Sequence, residues 1–110
     1  MIFKTPYGNV NADLKDNELS VVLVVPHKFY QNQIDQIVSL VNLCLRNNIA
    51  MSEIVGQLSG IRGPDVVFDS GKIIYSISDA IAKMLDVLSA ESSATGDVKV
   101  EKYYSAVLIN

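Results

Sequence analysis

The sequence predicts an α+β fold: antiparallel hairpins forming a sheet, packed against two main helices and one short helix in a single domain. Three observations carry this. Two β-prone runs flank a polar turn near the N-terminus. Apolar residues recur at helical spacing from Ile34 to Leu45 and again from Ile77 to Leu88. Between them, Gly60–Lys83 compresses a helix stop, an Arg-Gly-Pro turn, a hairpin and a capped helix start into one stretch.

In chain order, residues 2–14 alternate imperfectly and read as one strand, irregular near Pro6 and Gly8. Lys15-Asp16-Asn17-Glu18 is a polar turn. Leu19 to Val25 is a β-branched run without polar alternation, which predicts a strand buried on both faces or at an interface. Pro26 closes it, because proline donates no ladder hydrogen bond.

A helix is predicted from Asn32, with Asp35 suited to its N-terminal dipole. Ile34, Ile37, Val38, Val41 and Leu45 build its apolar face; Leu40, Leu43 and Cys44 widen it, so this helix is expected to be central and covered on several sides. Asn47-Asn48 is its stop, since asparagine tolerates the left-handed conformation. A short helix is expected from a Ser52 cap to Gly60. Val66–Phe68 and Lys72–Tyr75 then flank Asp69-Ser70-Gly71, which reads as a three-residue hairpin loop with glycine at positive φ. Ser76 heads the last helix, with Asp79 at the capping-box spacing. The domain is taken as residues 1–91, Ser92 to Asp97 as a short linker and 98–110 as a β-prone tail.

Composition bounds the function. A chain of 110 residues forms one domain with a core that needs no metal or disulfide. Its 49% hydrophobic content against 19% charge exceeds what a compact monomer hides, so a homo-oligomer is expected. The net charge of −3 argues against binding of nucleic-acid polymers. No run approaches the ~20 apolar residues of a membrane span, and no secretory signal is read at Met1–Tyr7, so a cytoplasmic protein is expected. Cys44 reads as a small buried hydrophobe; one Cys and one His supply no structural zinc set, and no cofactor fingerprint is present.

His27 is the sole side chain with an ordinary pKa suited to proton transfer near neutrality, and a surface-loop histidine is the plain alternative. No nucleophile motif accompanies it, so catalytic residues are not assigned and a non-enzymatic role is expected. Anion binding has more support. Arg62 lies in Gly-Ile-Arg-Gly-Pro, where glycines let the backbone approach a ligand and a guanidinium can grip phosphate or carboxylate in two places. Ser76 and Ser78 open a helix, whose free N–H groups seat anions. Lys72, Asp79 and, at the strand end, His27 and Lys28 complete the candidate ligand-binding set. The alternative reading pairs Arg62 with Asp65 or Asp79 and leaves the serines as caps.

With these residues in view, the chain resembles the TSCPD domain, found at the C-terminal end of many adenosylcobalamin-dependent ribonucleotide reductases and also as a stand-alone protein. The resemblance covers roughly residues 8–88 and rests on Ile34–Leu45, on the run from Asn48 through Gly-Ile-Arg-Gly-Pro, and on Ser76-Ile-Ser-Asp-Ala-Ile-Ala-Lys. Tyr75 to Asp79 correspond to the namesake motif. The family's cysteine after Gly-Ile-Arg is Gly63 here, and its Cys-Pro pair is Ile77-Ser78, so thiol and metal roles are not carried over. The family's Gly-Lys-Ser-Gly-like loop is replaced by Pro26-His27-Lys28-Phe29-Tyr30.

The resemblance implies a non-catalytic accessory or regulatory module of nucleotide metabolism, binding a nucleotide-like anionic ligand or a reductase subunit; these residues contain no counterpart of the reductase barrel. Two other readings stand beside it: a stand-alone oligomer that sequesters a small cyclic nucleotide signal, as phage-encoded anti-defence proteins do, and a structural dimerisation module.

Overall fold

Residues 2–14, read from the sequence as one irregular strand, fold as two. In the computed structural model, which describes residues 1–96, β1 (Ile2–Thr5) turns through Pro6-Tyr7 into β2 (Gly8–Lys15), and β2 turns through Asp16-Asn17 into β3 (Glu18–Leu23). The three strands form an antiparallel sheet in that order, with Val10 between Phe3 and Leu23, and Ala12 opposite Val21. Proline fixes φ and donates no ladder hydrogen bond, so Pro6 sets the first turn. Thr5 holds it, its Oγ1 donating to Gly8 O at 2.7 Å and accepting Tyr7 N–H at 3.0 Å. At the second turn Asp16 and Asn17 both take positive φ, as a two-residue turn that matches strand twist requires.

Helix α1 (Lys28–Arg46) begins four residues before the expected Asn32. Its N-cap is His27, whose Nδ1 accepts Tyr30 N–H at 3.3 Å. The His27 ring stacks on Tyr30 with centroids 4.2 Å apart, and Tyr30 stacks on Tyr7 at 4.3 Å, binding the helix start to the first turn. The helix ends as expected. Asn48 takes φ +62°, Ile49 N–H reaches back to Cys44 O and Asn48 N–H to Leu45 O, the paired bonds of a Schellman stop.

Helix α2 (Met51–Leu58) starts after Ala50, without a side-chain cap; Ser52 lies exposed inside its first turn. Strands β4 (Val67–Asp69) and β5 (Lys72–Ile74) form a second antiparallel sheet. Its loop is Ser70-Gly71, both at positive φ, two residues rather than three, because Asp69 pairs with Lys72 inside the ladder. Lys4 Nζ donates to Phe68 O at 3.0 Å and fastens this hairpin to β1.

Helix α3 (Ile77–Gly96) continues through most of the stretch whose composition reads as a linker; with no proline to stop it, it runs on to Gly96. The β-prone tail at 98–110 lies outside the described residues. α3, and not α1, is the central helix. Ile77, Ala80, Ile81, Met84, Leu85 and Leu88 are all buried, packed with Val10, Ala12 and Ile54 in one core cluster. Each such large aliphatic side chain contributes roughly 1.5–3 kcal/mol through burial. On α1 only Ile34, Val41, Asn42 and Leu45 are buried, while Leu40 and Leu43 stay exposed. β3 is likewise covered on one face only: Leu19, Val21 and Leu23 point inward, and Val22 outward.

The open edge of β3 is met by side-chain amides from α1. Asn42 accepts Leu19 N–H at 2.8 Å and donates to Leu19 O at 2.9 Å. Gln31 accepts Leu23 N–H at 2.9 Å and donates to Val21 O at 3.0 Å. Two amides thus stand where the peptides of a fourth strand would, satisfying polar backbone that an edge otherwise offers to other chains.

Candidate functional site

The Gly60–Pro64 turn and the start of α3 form one hydrogen-bonded unit. Gly60 lies one residue past the α2 C-cap at φ +79°, a conformation glycine adopts without steric cost. Its N–H donates to Asp79 Oδ1 at 2.8 Å. Ile61 O accepts the Ser76 hydroxyl at 2.6 Å, and Gly63 N–H donates to Tyr75 O at 2.8 Å. A Cβ on Gly63 would lie 3.2 Å from Ser76 Cβ and 3.4 Å from Tyr75 O, so the two segments touch there.

Ser76 caps α3 as the spacing predicts, its Oγ accepting Asp79 N–H at 3.0 Å. Asp79 reaches back one residue further than a standard capping box, accepting Tyr75 N–H at 3.0 Å on Oδ2. The same oxygen takes Lys83 Nζ at 2.8 Å, one helical turn along. Asp79 is 1% exposed. Burial acts to raise its pKa, but the Lys83 hydrogen bond, the Gly60 and Tyr75 N–H groups and the Lys83 charge outweigh it, holding the carboxyl below its ordinary value. It is therefore an ionised, fully engaged brace.

Arg62 does not pair with Asp65 or Asp79. Its guanidinium lies 4.5 Å over the Tyr75 ring, exposed to solvent and without an ion pair among the described residues. Such a cation–ring contact at the surface is worth about 0.5–1 kcal/mol. The arginine is thus oriented without being neutralised. Ser78 is half-buried, and no hydrogen bond of its hydroxyl occurs among the described residues. Lys72 is exposed at the hairpin loop, paired in register with Asp69.

Of the seven candidate residues, the fold therefore gathers Arg62, Ser76, Ser78 and Asp79 into one loop system, with Lys72 on the adjoining hairpin. Ser76 and Asp79 commit their polar side-chain atoms to the loop itself. His27 and Lys28 line a different groove, of about 730 Å³, with Pro26, Gln31, Asn32 and Asp35. Tyr75 and Lys83, which the sequence offers only as parts of the family motif and not as site residues, take part as well. Lys83 was readable as the basic partner four residues after an acid; nothing in the pattern marks Tyr75 as the platform for Arg62.

Among the described residues no helix is long and apolar enough to cross a membrane. In comparisons with known proteins, the family model of the TSCPD domain matches residues 3–89 of the 110. No curated protein matches and no solved structure matches.

Proposed function

Because the chain belongs to the TSCPD domain family, a ribonucleotide-reductase-associated family, we propose that it is a non-catalytic accessory module of nucleotide metabolism. Its contact face is the Gly60–Pro64 loop, which docks an anionic group on a nucleotide-like ligand or on a reductase subunit.

One observation carries this reading: Arg62, held over Tyr75 and free of any carboxylate among the described residues, stands on a loop tied to the start of α3 by hydrogen bonds at Gly60, Ile61 and Gly63. A guanidinium fixed in direction and still charged is suited to bidentate capture of phosphate or carboxylate. Because the loop is already ordered, little conformational entropy is lost on binding. The two positions at which the family carries cysteine are Gly63 and Ile77 here, so the binding chemistry left to this loop is electrostatic and hydrogen-bonding.

The test is thermal shift of the full chain against a panel of nucleoside mono-, di- and triphosphates and cyclic nucleotides, with capture by a ribonucleotide reductase large subunit run in parallel. The expected result is binding in one arm that Arg62→Ala abolishes while the unliganded melting temperature changes by only a few degrees. Absence of binding in both arms, or binding indifferent to Arg62→Ala, overturns the reading.

A further inference from the structure

We propose that the outer face of the β4–β5 hairpin, together with Arg62, docks a partner protein through a segment that carries an Asp or Glu carboxylate among large apolar side chains. This rests on the reading of Arg62 as an anion grip, and it assigns the anion to a protein rather than to a nucleotide. In the hairpin ladder Val67 pairs with Ile74, and that pair packs on the core. Side chains alternate along a strand, so the Phe68–Ile73 pair faces the other way. Phe68 is 61% exposed and Ile73 37%. Val66 and Tyr75, one step past the ladder, return to that outer side; Val66 is exposed and Tyr75 half-buried. Four apolar or aromatic side chains thus share one face, and Arg62 lies over the Tyr75 ring at its end.

Charge identifies the occupant. Lys4, whose Nζ donates to Phe68 O, borders the face at β4, and Arg62 borders it at Tyr75. Neither makes an ion pair among the described residues. Lys72 and Asp69 stand opposite each other at the hairpin tip, and Asp65 precedes Val66 without an ion pair among the described residues. On a chain of net charge −3, two unpaired bases beside an apolar face complement a carboxylate, and a cationic or uncharged segment leaves them unanswered.

Composition points to a protein. Phe, Tyr and Arg are enriched in protein interfaces, and a few aromatic and arginine side chains there carry most of the binding energy. A nucleotide engages Arg62 with its phosphate and at most one ring with its base, leaving the rest of the face in water. A protein segment covers all of it.

The test is selection of a random peptide library, displayed on phage, against the immobilised full chain. The expected selection is of peptides with Asp or Glu flanked by aliphatic or aromatic residues. The most enriched peptide is then titrated, with its carboxylate intact and as the Asn or Gln form, into wild type, Arg62→Ala, Phe68→Ser and Ile73→Ser. Each substitution alters an exposed side chain, so melting temperatures should move by only a few degrees. Loss of the carboxylate, Arg62→Ala and each hairpin variant should raise the dissociation constant about tenfold or more, and Arg62→Ala should bind the two peptide forms alike. No enrichment, enrichment without acidic residues, or binding indifferent to both Phe68→Ser and Ile73→Ser overturns the proposal. So does a dimer in light scattering that Phe68→Ser converts to monomer, which would give the face to a second copy. Nucleotide binding that needs Arg62 and ignores Phe68→Ser also overturns it while leaving the anion-binding reading intact; indifference of every ligand to Arg62→Ala removes both.

Discussion

Asp79 accepts the backbone N–H of Gly60 at 2.8 Å across 19 residues of chain, so one buried carboxylate joins the end of α2 to the start of α3. Its second oxygen holds Tyr75 N–H and Lys83 Nζ. Asp79→Ala leaves the Gly60 and Tyr75 donors without their acceptor. Both bonds are part-buried and run to a charged carboxylate, and a hydrogen bond to a charged group contributes about 1.5–3 kcal/mol, so a loss of roughly 3 kcal/mol is expected for the pair. Urea denaturation reads this as a lower midpoint at unchanged slope; an unshifted midpoint means the loop is held by other bonds.

The same carboxylate sets an acid limit. Its pKa is depressed in the folded chain, so between the folded value and the unfolded value of about 4 the unfolded chain binds more protons. Stability therefore rises with pH across that window: the contribution of Asp79 is complete above about 4 and is lost as pH falls through the folded value. Urea midpoints measured from neutral pH downward should fall below pH 4, and fall less steeply in Asp79→Ala. Equal slopes in the two proteins would remove Asp79 from the account.

Much of this loop was legible beforehand, but not its wiring. Ser76 and Asp79 stand at capping-box spacing, which local chemistry dictates. That Asp79 spans to Gly60, and that Lys83 rather than Arg62 answers its charge, depends on how two segments meet in space. The same divide runs through the fold. Asn48 announced the end of α1 because asparagine tolerates positive φ. The start was missed because a histidine cap supported by ring stacking on Tyr30 lies outside the usual Ser, Thr, Asp and Asn set. The wide apolar face of α1 predicted a covered central helix; α1 does pack on β3, but α3 takes the centre between the sheet and α2, and only the fold decides which of two apolar stripes is covered on both sides.

Gly63 fits tightly against Ser76. Gly63→Ala gains about 0.4–1 kcal/mol by restricting the unfolded chain. Against this, its Cβ would press on Ser76 Cβ at 3.2 Å, and Ser76 cannot retreat while bonded to Ile61 O and Asp79 N–H. Overpacking costs about 1–3 kcal/mol, so net destabilisation near 1 kcal/mol is expected. Gly63→Cys, restoring the residue type the family carries there, should behave alike or worse. A rise in melting temperature for either variant would mean that Ser76 can give way.

Asn42 closes the β3 edge with both halves of its amide. Asn42→Asp keeps the shape and the bond from Leu19 N–H, but an ionised carboxylate cannot donate to Leu19 O. Two oxygens then face each other in a buried site, and a loss of about 2–3 kcal/mol at neutral pH is expected. A protonated carboxyl donates again, so the penalty should shrink as pH falls. A deficit in urea midpoint that stays constant with pH would show that the Leu19 carbonyl does not need this donor.

Tyr75 separates orientation from charge at Arg62. Its backbone N–H and C=O hold the loop, while its half-buried ring carries the guanidinium. Tyr75→Leu keeps the backbone bonds and removes the ring face, so stability should change by about 1 kcal/mol or less. Arg62 keeps its charge and loses its fixed direction. Under the proposed function, affinity for the anionic partner should fall in Tyr75→Leu by less than in Arg62→Ala, because charge survives and only orientation is lost. Arg62→Lys should fall between wild type and Arg62→Ala, since an ammonium keeps attraction but not the bidentate grip. Titration calorimetry ranks the three variants; a Tyr75→Leu chain that binds like wild type would show that the ring does not preorganise the arginine.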